Sequence, residues 1–96
     1  MTAIALFGAG GKMGFRLSSN LRNSRFAVRH VEVSQAGRDR LAAELGIQCD
    51  TPEQALDGAK VAVLAVPDTL IGRVSAQIEP QLRPGTMVVV LESGGA

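Results

Sequence analysis

The sequence predicts a three-layer α/β fold: a parallel sheet of five strands in the order 3-2-1-4-5, with helices on both faces. Two observations predict it. Short runs of continuous apolar residues alternate with segments whose apolar residues recur at helical spacing. A glycine-rich turn, Gly8-Ala9-Gly10-Gly11-Lys12-Met13-Gly14, joins the first apolar run to the first helical segment. Strands connected through helices lie parallel, and their crossovers are right-handed in nearly all proteins.

Each element has its own signal. Ala3 to Phe7 is continuously apolar and stops at Gly8, as a strand buried on both faces does. Met13, Leu17 and Leu21 fall four apart and mark one face of a helix that begins at Lys12 and ends between Asn20 and Asn23. Val28 to Val33 reads as the second strand, valine-rich but carrying Arg29, His30 and Glu32. Gln35 to Leu45 is a second helix with Leu41 and Leu45 on one face, and Gly46 stands where a C-cap belongs. Ile47 to Cys49 is predicted as a short third strand. Thr51 and Pro52 open a brief helix as N-cap and first helical residue. Val61 to Val66 is a buried fourth strand. Leu70, Ile71, Val74 and Ile78 mark a helix that Pro80 and Pro84-Gly85 close, and Met87 to Leu91 is the fifth strand.

Length and composition narrow the function. Residues 1–96 suffice for one domain and not for two. Hydrophobic residues make up 46% of the chain, enough for a core, and the net charge of +1 gives no field to attract nucleic acid or an anionic membrane. Three aromatic residues, with no Trp or Tyr, offer no stacking platform for single strands. The single cysteine, Cys49, has no partner for a disulfide or a metal pair and reads as a small core residue in a reducing compartment. No apolar run approaches the ~20 residues of a membrane helix. The N-terminus lacks the basic start and long apolar stretch of a signal peptide. The expectation is a soluble, cytoplasmic protein with neither nucleic acid nor membrane as partner.

The glycine turn carries the chemistry. A pyrophosphate needs close approach of backbone N–H groups, which a Cβ would obstruct, and a helix N-terminus aimed at it contributes about half a positive charge. Gly8, Ala9, Gly10, Gly11, Lys12 and Met13 are therefore candidate cofactor contacts. The spacing departs from G-x-G-x-x-G because position 13 is Met. The glycines fit G-x-x-G-x-x-G at 8, 11 and 14, or Gly11 and Gly14 serve as the second and third glycines with Ala9 in place of the first. Placed between a buried first strand and a helix, the turn reads as that of a Rossmann dinucleotide-binding domain.

Glu32 lies near the end of the second strand, 18 residues after Gly14. A carboxylate there accepts hydrogen bonds from the adenosine ribose hydroxyls and repels a 2′-phosphate, which favours NAD over NADP. Ser34 and Arg38 are groups able to bind such a phosphate. Val66, Pro67 and Asp68 follow the fourth strand, across the point where strand order reverses, and line the same crevice. Asp68 contacts the ribose or caps the next helix. Glu92 and Ser93 fall near the nicotinamide end or in a frayed terminus. His30 reads as an ordinary strand residue, and no catalytic or metal-binding residue is assigned.

Three segments together carry a family resemblance: Ala-Leu-Phe-Gly-Ala-Gly-Gly-Lys-Met-Gly, Arg-His-Val-Glu-Val-Ser and Val-Leu-Ala-Val-Pro-Asp. The chain resembles the N-terminal domain of the 6-phosphogluconate dehydrogenase-like and β-hydroxyacid dehydrogenase-like oxidoreductases, with its nearest likeness in the apionate oxidoisomerase branch. The resemblance spans essentially the whole chain. It implies NAD binding through Gly11, Lys12 and Met13, Glu32 and Asp68. It also implies a small hydroxy-acid or sugar-acid substrate, and a further helical domain beyond Ala96 that supplies catalytic residues and a homodimer interface. The alternative is a non-catalytic NAD(H)-binding regulatory or redox-sensing module, which the lack of an evident catalytic group permits. A methyltransferase-like nucleotide fold shares the glycine turn and the acid after strand two, but the Val-Pro-Asp segment argues against it.

Overall fold

The computed structural model describes residues 2–22, 24–66 and 68–91, with the side chains of Lys12 and Asp68 outside the description. The elements are β1 (Ala3–Phe7), α1 (Lys12–Leu21), β2 (Ala27–Val31), α2 (Gln35–Leu45), α3 (Pro52–Leu56), β3 (Val61–Leu64), α4 (Asp68–Ile78) with a 3-10 turn at Glu79–Gln81, and β4 (Met87–Val90). All pairings are parallel, and among the described residues the sheet has four strands in the order β2-β1-β3-β4. Ala5 stands opposite Arg29 on one side and Ala62 on the other, which fixes β1 at the centre.

Alternation along β1 builds the three layers. Successive strand side chains point to opposite faces. Ile4 and Leu6 join Leu41, Val63 and the apolar residues of α1 and α2 on one face. Ala5 and Phe7 join Ala55, Leu56, Leu64 and Ile78 of α3, β3 and α4 on the other. All five residues of β1 are buried, as an apolar run without alternation requires.

The prediction of five strands in the order 3-2-1-4-5 is corrected by this topology. Ile47 to Cys49 is not a strand. The reason lies in the helix ends on either side. Gly46, at φ +66°, and Ile47 turn their N–H groups back onto the Ala42 and Leu41 carbonyls at 3.1 Å each to finish α2. Thr51 gives its own N–H to the Gln54 side chain, and its hydroxyl accepts the Gln54 N–H, a capping box that starts α3. Only Gln48, Cys49 and Asp50 lie between. They make a single backbone bond to β2, Asp50 N–H to the His30 carbonyl at 2.7 Å. Ile47 and Cys49 still pack against the core, so the apolar signal there reports burial, not a ladder. Smaller corrections follow at strand ends: β2 stops at Val31 and β3 at Leu64, leaving Glu32, Val33, Ala65 and Val66 in the loops above the sheet.

α3 is held at both ends. Its N-terminus has the capping box, and the Arg29 guanidinium donates to the carbonyls of Gln54, Ala55 and Asp57 at its C-terminal end. That secures a five-residue helix too short to persist alone.

Candidate functional site

The C-terminal ends of β1, β2 and β3 open together onto a cavity of about 950 Å³. The loop after β1 is pinned to the neighbouring strand: Gly8 and Ala9 donate their N–H groups to the Val31 carbonyl at 2.9 and 3.2 Å. Gly8 turns the chain at φ +79°, and a Cβ there would meet the Ala65 carbonyl oxygen at 2.4 Å. Gly14 lies so close behind it that a Cβ would sit 1.9 Å from the Gly8 carbonyl oxygen. The first turn of α1 is thereby drawn tightly against the end of β1.

Gly11 is the N-cap of α1, extended at φ −76° and exposed. It supplies no side-chain acceptor to the first-turn N–H groups. The other capped helices differ: the Ser34 hydroxyl accepts the Gly37 N–H at 3.0 Å, and that of Thr51 accepts the Gln54 N–H at 3.2 Å. No protein atom crowds Gly11, since its nearest would-be Cβ neighbour is 3.4 Å away. The α1 N-terminus thus presents unsatisfied donors and the positive end of its dipole.

Glu32 stands just past β2, half-buried on the cavity wall. Its Oε1 accepts the Gly10 N–H at 2.8 Å and its Oε2 accepts the Ser34 N–H at 2.9 Å. Ser34 is engaged as the α2 cap, and the Arg38 guanidinium donates to Gln35 Oε1 at 3.1 Å. Arg40 also borders the cavity; its guanidinium lies 4.0 Å from the Phe15 ring centroid and pairs with Glu44 at 3.0 Å.

The sequence-predicted site residues divide. Gly8, Gly10, Gly11, Glu32 and Val66 border the cavity. Ala9 is buried in the core, and Met13 is half-buried against it. Lys12 and Asp68 open α1 and α4, but their side chains, like Pro67, Glu92 and Ser93, lie outside the described residues. Gly37 was missed. Its α2 backbone faces Gly10 so closely that a Cβ on Gly10 would lie 2.6 Å from the Gly37 Cα, and a Cβ on Gly37 would lie 2.7 Å from Glu32 Cγ. A glycine inside a helix costs about 1 kcal/mol against alanine, and that penalty was the available signal of a packing role.

Away from the cavity, burial pushes the Cys49 thiol up, aided by the Glu32 carboxylate, so the thiolate is disfavoured. Among the described residues no cluster of His, Cys, Asp or Glu could hold a metal ion, and no helix is long and apolar enough to cross a membrane.

Residues 3–93 match the family model of the NAD binding domain of 6-phosphogluconate dehydrogenase. The chain belongs to that family. This NAD-binding domain is 61% identical over 93 residues to a D-apionate oxidoisomerase of Rhizobium rhizogenes, covering 97% of this chain and 34% of that protein. It is also 61% identical to a D-apionate oxidoisomerase of Cupriavidus necator, covering 94% of this chain and 33% of the relative. A crystal structure of a semialdehyde dehydrogenase NAD-binding protein from Cupriavidus necator, in complex with calcium and NAD, superposes at a TM-score of 0.92 with 60% identity, over 95% of this chain and 33% of that one. The domain spans about a third of the length of the curated relatives it matches.

The domain's own geometry fits the dinucleotide. The uncapped first turn of α1 suits a pyrophosphate, and the bare Gly11 Cα leaves room that a Cβ would fill. The Glu32 carboxylate keeps lone pairs beyond the two used on Gly10 and Ser34.

Proposed function

We propose that this domain holds NAD for an oxidoreductase acting on a small hydroxy acid or sugar acid, a reading supported by its likeness to proteins named D-apionate oxidoisomerase. The observation that carries the reading is the uncapped start of α1 at exposed Gly11, opening beside Glu32 on one cavity. The N–H groups of Lys12 and Met13 hydrogen-bond the pyrophosphate, with Gly11 allowing the close approach. The remaining lone pairs of Glu32 accept a ribose hydroxyl, and its charge repels a 2′-phosphate, so NADP is the poorer ligand. Val66 bounds the opposite side of the crevice. NAD held there would supply the acceptor for a hydride from the substrate's carbinol carbon.

This chain's share is binding and orientation. In the whole protein, a largely helical domain supplies the catalytic residues and the homodimer interface; that part of the proposal rests on the family likeness. A cytoplasmic location is in keeping with the lone cysteine.

Titration calorimetry of the purified chain with NAD and NADP tests the cofactor reading. NAD binding at least tenfold tighter than NADP is expected. Equal or tighter NADP binding would overturn the role of Glu32, and binding of neither would overturn the reading.

A further inference from the structure

Glu32 does more in this structure than face a ribose. Its two carboxylate oxygens are tied to two different loops: Oε1 to Gly10 in the turn after β1, Oε2 to Ser34 at the start of α2. The bond to Gly10 spans 22 residues of sequence. Gly37 passes behind the same carboxylate, with room for no Cβ, so α2 holds the side chain in place. Gly10 is buried, and Glu32 Oε1 is the acceptor of its N–H. Removing that acceptor leaves a buried donor unsatisfied, and such a group is expensive.

We propose that Glu32 is a positioning residue for the phosphate-binding turn, acting through Gly10, in addition to any contact with the ribose. This deepens the NAD-binding reading above and rests on it for the ligand. The carboxylate clasps the β1–α1 turn to the start of α2, and so sets the approach to the α1 N-terminus where the pyrophosphate lies. Loss of the carboxylate loosens the turn whatever the ribose carries. A change at Glu32 alone therefore does not simply convert the site from one dinucleotide to the other.

A protein–ligand cycle separates positioning from ribose contact. NAD and its 2′,3′-dideoxyadenosine analogue are titrated into the wild-type chain, Glu32→Ala and Glu32→Gln. The analogue lacks both ribose hydroxyls from which Glu32 would accept a hydrogen bond. Glu32→Ala is expected to bind the analogue about tenfold more weakly than wild type does, the size of a lost charge-assisted hydrogen bond. Glu32→Gln keeps a carbonyl oxygen for Gly10 and is expected to recover most of that loss. If Glu32→Ala binds the analogue as tightly as wild type, Glu32 acts only through the ribose and the proposal fails.

Amide hydrogen exchange without ligand tests the clasp even if NAD does not bind. In wild type the Gly10 and Ser34 amides are protected. In Glu32→Gln the Gly10 amide stays protected while that of Ser34 exchanges at a loop rate; in Glu32→Ala both are released. An unchanged Ser34 amide in Glu32→Gln overturns the clasp, and this comparison holds even if Glu32→Ala does not fold. Absence of NAD binding to wild type counts against the cofactor reading, and a protected Gly10 amide then leaves the clasp standing.

Discussion

The backbones of Gly10 and Gly37 meet with no space for a side chain between them: a Cβ on Gly10 would lie 2.6 to 2.7 Å from the Gly37 Cα, carbonyl carbon and oxygen. One glycine belongs to the turn after β1 and the other to the first turn of α2. The obstacle on the Gly37 side is backbone, held by the helix, and cannot swing aside. Gly10→Ala must therefore push α2 away from the turn, at about 1–3 kcal/mol of overpacking strain. Gly37→Ala brings its Cβ within 2.7 Å of Glu32 Cγ and must displace a carboxylate tied to Gly10 and Ser34, but the obstacle is a side chain and alanine returns up to about 1 kcal/mol of helix propensity, so its net cost is expected to be the smaller of the two. Urea unfolding of the two variants measures the order. A Gly10→Ala protein as stable as wild type would contradict the contact.

Gly11 is the counter-case, one residue along the same turn. Its backbone is extended, a conformation any residue adopts, and its nearest would-be Cβ neighbour is 3.4 Å away. Gly11→Ala is expected to change stability by under about 0.5 kcal/mol, as an exposed substitution does. The same methyl group stands where the pyrophosphate must approach, so NAD affinity is expected to fall at least tenfold. Thermal unfolding beside NAD titration reads both effects. Wild-type affinity in Gly11→Ala would show that the ligand does not approach the turn there.

These two glycines show what a sequence can carry. The apolar runs of β1 and β3, the limits of α2 and the Thr51-Pro52 helix start were legible because each depends on neighbours within a few residues. The turn was legible as a candidate site for the same reason. Which glycine serves the protein and which serves the ligand was not, because that depends on Gly37 and Glu32 arriving from the next βα unit. The predicted strand at Ile47 to Cys49 failed for a related reason. Its apolar residues do pack against the core, but both flanks give their N–H groups to helix caps, and pairing capacity cannot be read from hydrophobicity alone.

His30 makes the fold sensitive to mild acid. It is the one histidine of the sequence, 8% exposed on β2, with no hydrogen-bond partner for Nε2. Burial lowers its pKa below the usual 6.5, and the nearby Asp50 carboxylate opposes this only in part. The sign follows from proton linkage: the unfolded chain takes up the proton first, so stability is full above about pH 6.5 and declines below it until the folded form also protonates. Urea midpoints measured at pH 7.5 and 5.5 are expected to fall for wild type and to stay level for His30→Gln. Equal midpoints for wild type would show that the imidazole is not held neutral.

Arg29 and Thr51 clamp the short helix that closes one face of the core. α3 carries Ala55 and Leu56, both buried against the residues of β1. A five-residue helix cannot hold itself together by propagation, so its ends must be satisfied from outside. Thr51→Ala removes the N-cap and is expected to cost roughly 1 kcal/mol. Arg29→Met keeps much of the apolar stem but removes the donor to the Gln54, Ala55 and Asp57 carbonyls, at a comparable or larger cost of about 1.5–3 kcal/mol. The two act on one small unit, so their effects should not add. Once either end is released the helix frays, and the second loss removes less. A double-mutant cycle by urea unfolding checks this. Strict additivity would mean that each end of α3 is secured independently by its packing on β1.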